Sequence, residues 1–181
     1  MRYTRRMDSV LTEQRKNSVS YIRNFVFGVE DSLVSTVGLL SGIAIAEVPR
    51  ATIFLTGVVL IFVEAFSMAA GSFLSEYSAQ EYADAHDEPM KRPLWSGFIM
   101  FFSYFISGFI PLFPYAFFET SSAFTVSIAL SLLALFVLGV IGARLSQRKI
   151  LRRSIRMVVI GGAAIGIGIL AGKLFSIGLG I

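Results

Sequence analysis

The sequence predicts an all-α integral membrane protein with five membrane-spanning helices. Of its 181 residues, 55% are hydrophobic and only 15% are charged, and the mean hydropathy is +0.72. A soluble domain has about 25% charged residues, so this composition suits lipid. Five apolar runs are long enough to cross about 30 Å of hydrocarbon as helices, at Phe25–Ala46, Thr52–Leu74, Leu94–Phe118, Ala123–Ala143 and Ile155–Ile181. A β-barrel is not favoured, because runs such as Ile128–Ile141 lack alternating polar positions.

The first 24 residues are polar and lack the short apolar core of a secretory signal. We interpret residues 1–24 as a cytoplasmic segment that precedes a transmembrane domain over residues 25–181. Within this segment, Met7–Tyr21 forms either a short helix along the inner membrane surface or a plain polar lead-in. Both alternatives fit its weak apolar stripe.

The basic residues predict the orientation of the spans. Of the 16 Lys and Arg residues, 14 lie in the N-terminal segment, the second loop and the fourth loop, leaving only Arg50 and Lys173 for the other side. Since Lys and Arg accumulate in cytoplasmic loops, we predict a cytoplasmic N-terminus and an outside C-terminus. The net charge of +4 therefore reflects membrane sidedness rather than nucleic-acid binding.

The second loop, residues 75–93, is acidic and is predicted to extend the second helix until Pro89 and Pro93 break it. The spacing of the acids in this loop, taken alone, favours a solvated end of the second helix. The alternative is a surface where metal arrives from the cytoplasm, formed by Glu76, Glu81, Asp84 and Glu88.

Acidic residues inside the spans are the main functional signal. Glu30 and Asp31 lie in the first span and Glu64 in the second, although an intramembrane acid costs about 2.5–3.5 kcal/mol on insertion scales. At 1.5 Å per residue, Asp31 lies about 12 Å in from Arg23, and Glu64 about 15 Å in from Leu74. The two carboxylates are therefore expected in one layer of the membrane.

The chemistry of these positions suggests a cation path. Glu64 and Met68 share a helical face, and carboxylates with a thioether suit a transition metal better than magnesium or calcium. The same carboxylates can carry protons. Glu30 and Asp31 point about 100° apart, so only one is expected to face the path. Alternatively, these acids only hydrogen-bond between helices, with Ser35, Thr36 and Ser67 as partners.

Other site chemistries are excluded or disfavoured. The chain has no cysteine and one histidine, His86, which rules out thiolate and multi-histidine metal sites within one chain. A hydrolase is not favoured, and no resident cofactor is expected. Small-xxx-small patterns at Gly38/Gly42, Gly162/Gly166 and Gly168/Gly172 allow close helix approach, more often within one chain than across a dimer.

Three sequence stretches resemble the vacuolar iron transporter family. The run RNFVFGVEDSLVST over residues 23–36 is similar to that family's F-G-x-x-D-G-L-V-S signature. Ser67–Gly71 is similar to its S-M-x-x-G, and Ile110–Pro114 to its I-P-L-x-P. Further likeness at Gly139, Arg144 and Gly172–Phe175 extends the resemblance over roughly residues 21–175.

The resemblance implies a homodimer that exports ferrous iron, and often manganese, from the cytosol in exchange for protons. It implies an integral membrane location, which is the cell membrane in a prokaryote and a vacuolar or organellar membrane in a eukaryote. It also implies that Asp31 and Met68 bind the metal. With Glu64 and, secondarily, Glu30, they form the predicted metal site.

The chain departs from the family pattern at three positions. Asn24 and Ser72 stand where many members have acids, and Leu60 stands where an acid is common, one turn from Glu64. The long cytosolic domain of plant-type members is missing. Transport of another cation or of protons alone is therefore an alternative, as is a membrane interaction protein that transports nothing. Metal storage or sensing has only the short acidic loop to support it.

Overall fold

The computed structural model describes residues 2–82, 90–145 and 149–179, with side chains of the first helix described from Ser18 onward. All five predicted spans are helices long and apolar enough to cross a membrane, as predicted. The helices are α1 (Arg2–Ile45), α2 (Arg50–Tyr82), α3 (Lys91–Phe117), α4 (Thr120–Leu145) and α5 (Ile150–Leu179).

The N-terminal segment is helical and continuous with the first span. Helix α1 runs without a break from Arg2 to Ile45, so Met7–Tyr21 is not a separate short helix but a polar lead-in to the span. The physical reason is that no proline or glycine occurs before Gly28 to end the helix. At residue 24 the composition therefore changes from polar to apolar, while the backbone stays helical.

Helix α1 is the centre of the bundle and contacts all four other helices. Near the α1–α2 turn, Leu40 joins an apolar cluster with Ile53 and Leu112. Towards the opposite end, Leu33 joins a second cluster with Leu135 and Met157, among others. The outer faces of α2 and α5 are largely exposed, as expected of helices that border lipid.

The α1–α5 contact depends on glycine. Gly38 and Gly42 lie directly against Gly168 and Gly172, so closely that a Cβ on Gly168 would overlap the carbonyl oxygen of Gly38. These two small-xxx-small patterns therefore pack within the chain, as predicted. In contrast, Gly162, which carries the third pattern with Gly166, has open space where its side chain would be.

One end of the bundle collects most of the described basic residues. The start of the first span, the end of α2, the start of α3 and the α4–α5 junction all lie towards it: Ser20 and Arg92 both contact Glu76, and the charge of Arg153 acts on Glu30. We call it the basic end. Its assignment to the cytoplasm stays a prediction from the charge distribution.

Candidate functional site at the α1–α2 interface

Two hydrogen bonds fix the register of the antiparallel helices α1 and α2. Asn24 Nδ2 donates to Ser72 Oγ at 3.0 Å, and Ser20 Oγ donates to Glu76 Oε2 at 3.0 Å. Four residues forward along α1 thus correspond to four residues back along α2. Continuing this register places Gly28 level with Met68, and Ser32 level with Glu64.

Asp31 and Glu64 lie together in one layer of the bundle. Both side chains are half-buried, and their negative charges interact across the α1–α2 interface. Among the described residues, no hydrogen bond ends on either carboxylate. Both side chains are only half-buried, so their acceptor oxygens remain available to water or to a ligand.

The hydroxyl groups expected to pair with these acids in a purely structural role do not do so. Ser35 Oγ is 2.7 Å from Tyr104 Oη and bonds to the backbone of Ser32 instead. Thr36 Oγ1 is buried without a hydrogen-bond partner, and Ser67 is exposed. Within the described part of the chain, these three hydroxyl groups therefore give no support to the structural alternative.

Tyr104 on α3 belongs to this layer, although sequence reasoning missed it. Its side chain is fully buried, it pairs with Ser35, and it lies within electrostatic range of both Asp31 and Glu64. A stripe of buried hydroxyl residues along one face of the apolar helix α3 was the available signal, formed by Ser96, Ser103, Tyr104 and Ser107.

Glu30 faces a different neighbour from Asp31. Its charge interacts with Arg153 of α5, and Arg153 Nη1 donates to the carbonyl oxygen of Gly142 on α4 at 2.7 Å. The charge of Arg153 thus acts on Glu30, whereas the charge that acts on Asp31 is that of Glu64.

A cleft of about 610 Å³ lies between the acidic layer and the basic end. Helices α1, α2 and α3 all contribute to it, and none of the described residues that line it is a carboxylate. The lining residues are Arg23, Asn24, Phe27, Ser67, Met68, Gly71, Ser72, Ser75 and Met100. Met68 thus opens onto this cleft, one helical turn from Glu64.

Of the four acids suggested as an arrival surface for metal, the structure describes two, and these two have different surroundings. Glu76 is buried, with 6% of its surface exposed, and forms a salt bridge from Oε1 to Arg92 Nη2 at 2.5 Å. Glu81 is exposed near the end of α2, which extends past Leu74 as predicted. Asp84 and Glu88 lie outside the described residues.

The described donor side chains can fill only part of the coordination shell of a cation. Within residues 18–82, 90–145 and 149–174, no three acidic or histidine side chains gather around one point. Asp31, Glu64 and Met68 supply two carboxylates and a thioether from two helices. A divalent ion there would complete its coordination with water or with groups from outside this chain.

Comparisons with known proteins give a consistent result. The VIT family model matches residues 22–91 and 84–173. Vacuolar iron transporter homolog 4 of Arabidopsis thaliana is 26% identical, over 88% of this chain and 86% of its own length. Vacuolar iron transporter homolog 5 of Oryza sativa subsp. japonica is 26% identical, over 82% and 77% respectively. Vacuolar iron transporter 1 of the same plant is 22% identical, over 84% of each chain.

Proposed function

The chain belongs to the VIT family, and we propose that it moves a divalent transition metal, ferrous iron or manganese, across the membrane in exchange for protons. In this proposal the metal is substrate and not a resident cofactor. Transport runs from the cytosol outward, in the direction that the family resemblance implies.

The observation that carries the proposal is the Asp31–Glu64 pair. Two carboxylates in a membrane layer, whose charges interact and on which no hydrogen bond from the described residues ends, have a high cost unless they bind something. A divalent cation satisfies both at once. Protons satisfy them equally well after the metal leaves, so one pair of groups can serve both ions.

The proposed route uses the cleft below this pair. Metal enters the cleft from the basic end, passes Met68, and exchanges water for the carboxylates of Asp31 and Glu64. Tyr104 and Ser35 border the same layer and can orient bound water. Glu81 is the only one of the suggested arrival acids that is described as exposed, so we assign it alone a role in attracting metal.

We also propose that the transporter is a homodimer that pairs through α2. Three small residues at four-residue spacing, Ser67, Gly71 and Ser75, are exposed on the outward face of this helix. Such spacing allows the backbones of two helices to approach closely. The cleft opens beside these residues, so a partner at this face would enclose the path.

Metal flux in proteoliposomes tests the site. Purified native protein should carry ferrous iron or Mn²⁺ when a pH gradient is imposed, and Asp31→Ala, Glu64→Gln and Met68→Ala should each slow it. We expect a loss of at least about tenfold, since even residues behind a metal ligand cost about 10- to 100-fold when mutated. Glu119→Gln, at an exposed acid far from the site, is the matched control.

Unchanged metal flux in Asp31→Ala and Met68→Ala would refute the site assignment. If Asp31→Ala and Glu64→Gln instead abolish a monodisperse folded state and native protein carries no metal, the chain is an interaction protein.

A second candidate function is transport of protons or another cation by the same fold. It is favoured by the Asn24–Ser72 contact, because two neutral side chains occupy the level at which many relatives of this type have acids. Proton flux in the absence of added metal, retained in Met68→Ala and lost in Asp31→Ala, would identify it.

A further inference from the structure

We propose that Met100 on α3 is a second thioether ligand for the transported metal, paired with Met68 in a soft binding site that has no carboxylate, below the acidic layer. This inference rests on the proposed function and adds a residue that neither the sequence patterns nor the comparisons indicate. It assigns to that residue the discrimination between transition metals and hard ions such as Mg²⁺ and Ca²⁺.

The first observation is the position of the Met100 sulfur. It lies 3.1 Å from the point that a Cβ on Gly28 would occupy, so it packs directly against the bare backbone of α1. Gly28 is the residue that the α1–α2 register places level with Met68. The space beside Gly28 is thus filled by the Ser103 hydroxyl and the Met100 sulfur, and the register alone brings Met68 to this level.

The packing of α2 against α3 independently places Met100 at the level of Met68. Gly97 lies against Ala69 and Phe73, while Gly108 lies against Ile61. Antiparallel helices in that register bring Met100 beside Ala69, the neighbour of Met68. Both methionines also line the same cleft, although only 3% of the Met100 surface is exposed.

The surroundings offer no anionic ligand. The polar side chains that line the cleft are Arg23, Asn24, Ser67, Ser72 and Ser75, and the one charge among them, on Arg23, is positive. Thioethers bind soft transition metals but compete poorly with water for Mg²⁺ or Ca²⁺. A hard ion that enters the cleft finds no charged ligand there, whereas a softer ion can exchange water for two sulfurs before it reaches Asp31 and Glu64.

Met100→Leu tests the proposal because it removes the sulfur and keeps a similar volume. We expect the apparent affinity for the soft probe Cd²⁺ to fall about tenfold, which corresponds to about 1.4 kcal/mol of binding, in both flux competition and calorimetric titration of the detergent-purified protein. The affinity for Mn²⁺ should change much less. Met157→Leu is the matched control, since Met157 is buried in the core cluster near Leu33.

Met100→Gln is the second variant, which substitutes an oxygen donor of similar length and should shift preference towards Mn²⁺. The inference would be overturned if native protein, Met100→Leu and Met100→Gln all had the same Cd²⁺ affinity and the same ion preference. Metal flux in native protein would still uphold the proposed function. If native protein carries no metal, the titration still decides: Cd²⁺ binding that depends on Met100 supports the site, and binding that does not depend on it refutes the site.

Discussion

At the scale of single residues, the Asn24–Ser72 hydrogen bond shows how two departures from the family pattern are connected. The family resemblance implies an acid at each position in many members, whereas this chain has two neutral side chains that are in contact at 3.0 Å. Two carboxylates at that distance would repel each other unless a cation lay between them. The two replacements thus suit each other, and together they remove charge from the wall of the cleft.

Asn24→Asp should partly reverse this change. The new carboxylate can accept a hydrogen bond from the Ser72 hydroxyl, and it adds a negative charge to the approach to Met68. We expect the KM for Mn²⁺ to fall by up to about 30-fold, since a divalent ion and a single negative charge about 4 Å apart attract each other by about 2 kcal/mol in a wet cleft.

Ser72→Ala is the control for this substitution, because it removes the same hydrogen bond without adding charge. Mn²⁺ flux kinetics that are identical in native protein and Asn24→Asp would show that metal does not pass this level.

The sequence predicted the acids of the site but not their partners. Asp31 and Glu64 stand out because charge is rare in an apolar run, and helix depth alone predicted a common layer. Tyr104 and Met100 did not stand out, because aromatic and thioether residues are ordinary components of an apolar helix. The salt bridge of Glu76 with Arg92 was equally hidden, since both residues looked like parts of a solvated loop.

At the scale of helices, glycine patterns that look alike in sequence have different environments. Gly168 and Gly172 contact the backbone of α1, whereas Gly162 and Gly166 on the same helix face open space. The spacing predicts close approach but does not say which face of α5 meets α1. That choice depends on tertiary packing, which one helix's sequence does not contain.

Alanine substitutions should separate these two classes of glycine. Gly168→Ala would force a methyl group into the Gly38 carbonyl, and we expect it to destabilise the bundle by about 1–3 kcal/mol, as overpacking does. Gly162→Ala meets nothing and should stabilise α5 by up to about 1 kcal/mol, because alanine is the better helix former.

The measurement is the thermal unfolding midpoint of each variant in the same detergent. The two midpoints should move in opposite directions from that of the native protein. A Gly168→Ala midpoint at or above the native value would contradict the tight α1–α5 packing.

At the scale of the whole molecule, hydropathy predicted the number and order of the spans, and all five are helices. It did not predict the continuous α1, because the polar N-terminal residues carry no hydropathy signal even though nothing in them breaks a helix. The hydropathy pattern also does not predict whether the chain forms a dimer, because an exposed apolar helix face can contact either lipid or a partner chain.

Single-cysteine cross-linking should reveal the proposed dimer. The chain has no cysteine of its own, so Gly71→Cys gives an unambiguous product on mild oxidation. If the α2 helices pair, the two Cα atoms lie within the about 4.4–6.8 Å that a disulfide spans. A dimer band on non-reducing gels is then expected in membranes. Leu133→Cys, on the exposed face of α4, is the control, and equal dimer yields from both variants would exclude pairing through α2.

The charge compensation inside the bundle has a consequence for energetics. Glu76 pairs with Arg92 and the charge of Arg153 acts on Glu30, whereas Asp31 and Glu64 act on each other. In the proposed exchange, one divalent ion or two protons would neutralise this pair equally. Exchange of one metal ion for two protons at this pair should then move no net charge, and its rate should not depend on the membrane voltage. Each uncompensated charge would instead contribute about 2.3 kcal/mol per 100 mV. Initial flux rates in vesicles clamped with potassium and valinomycin should be equal at zero and strongly negative potential, and a voltage-dependent rate would mean that a further charge moves with the metal.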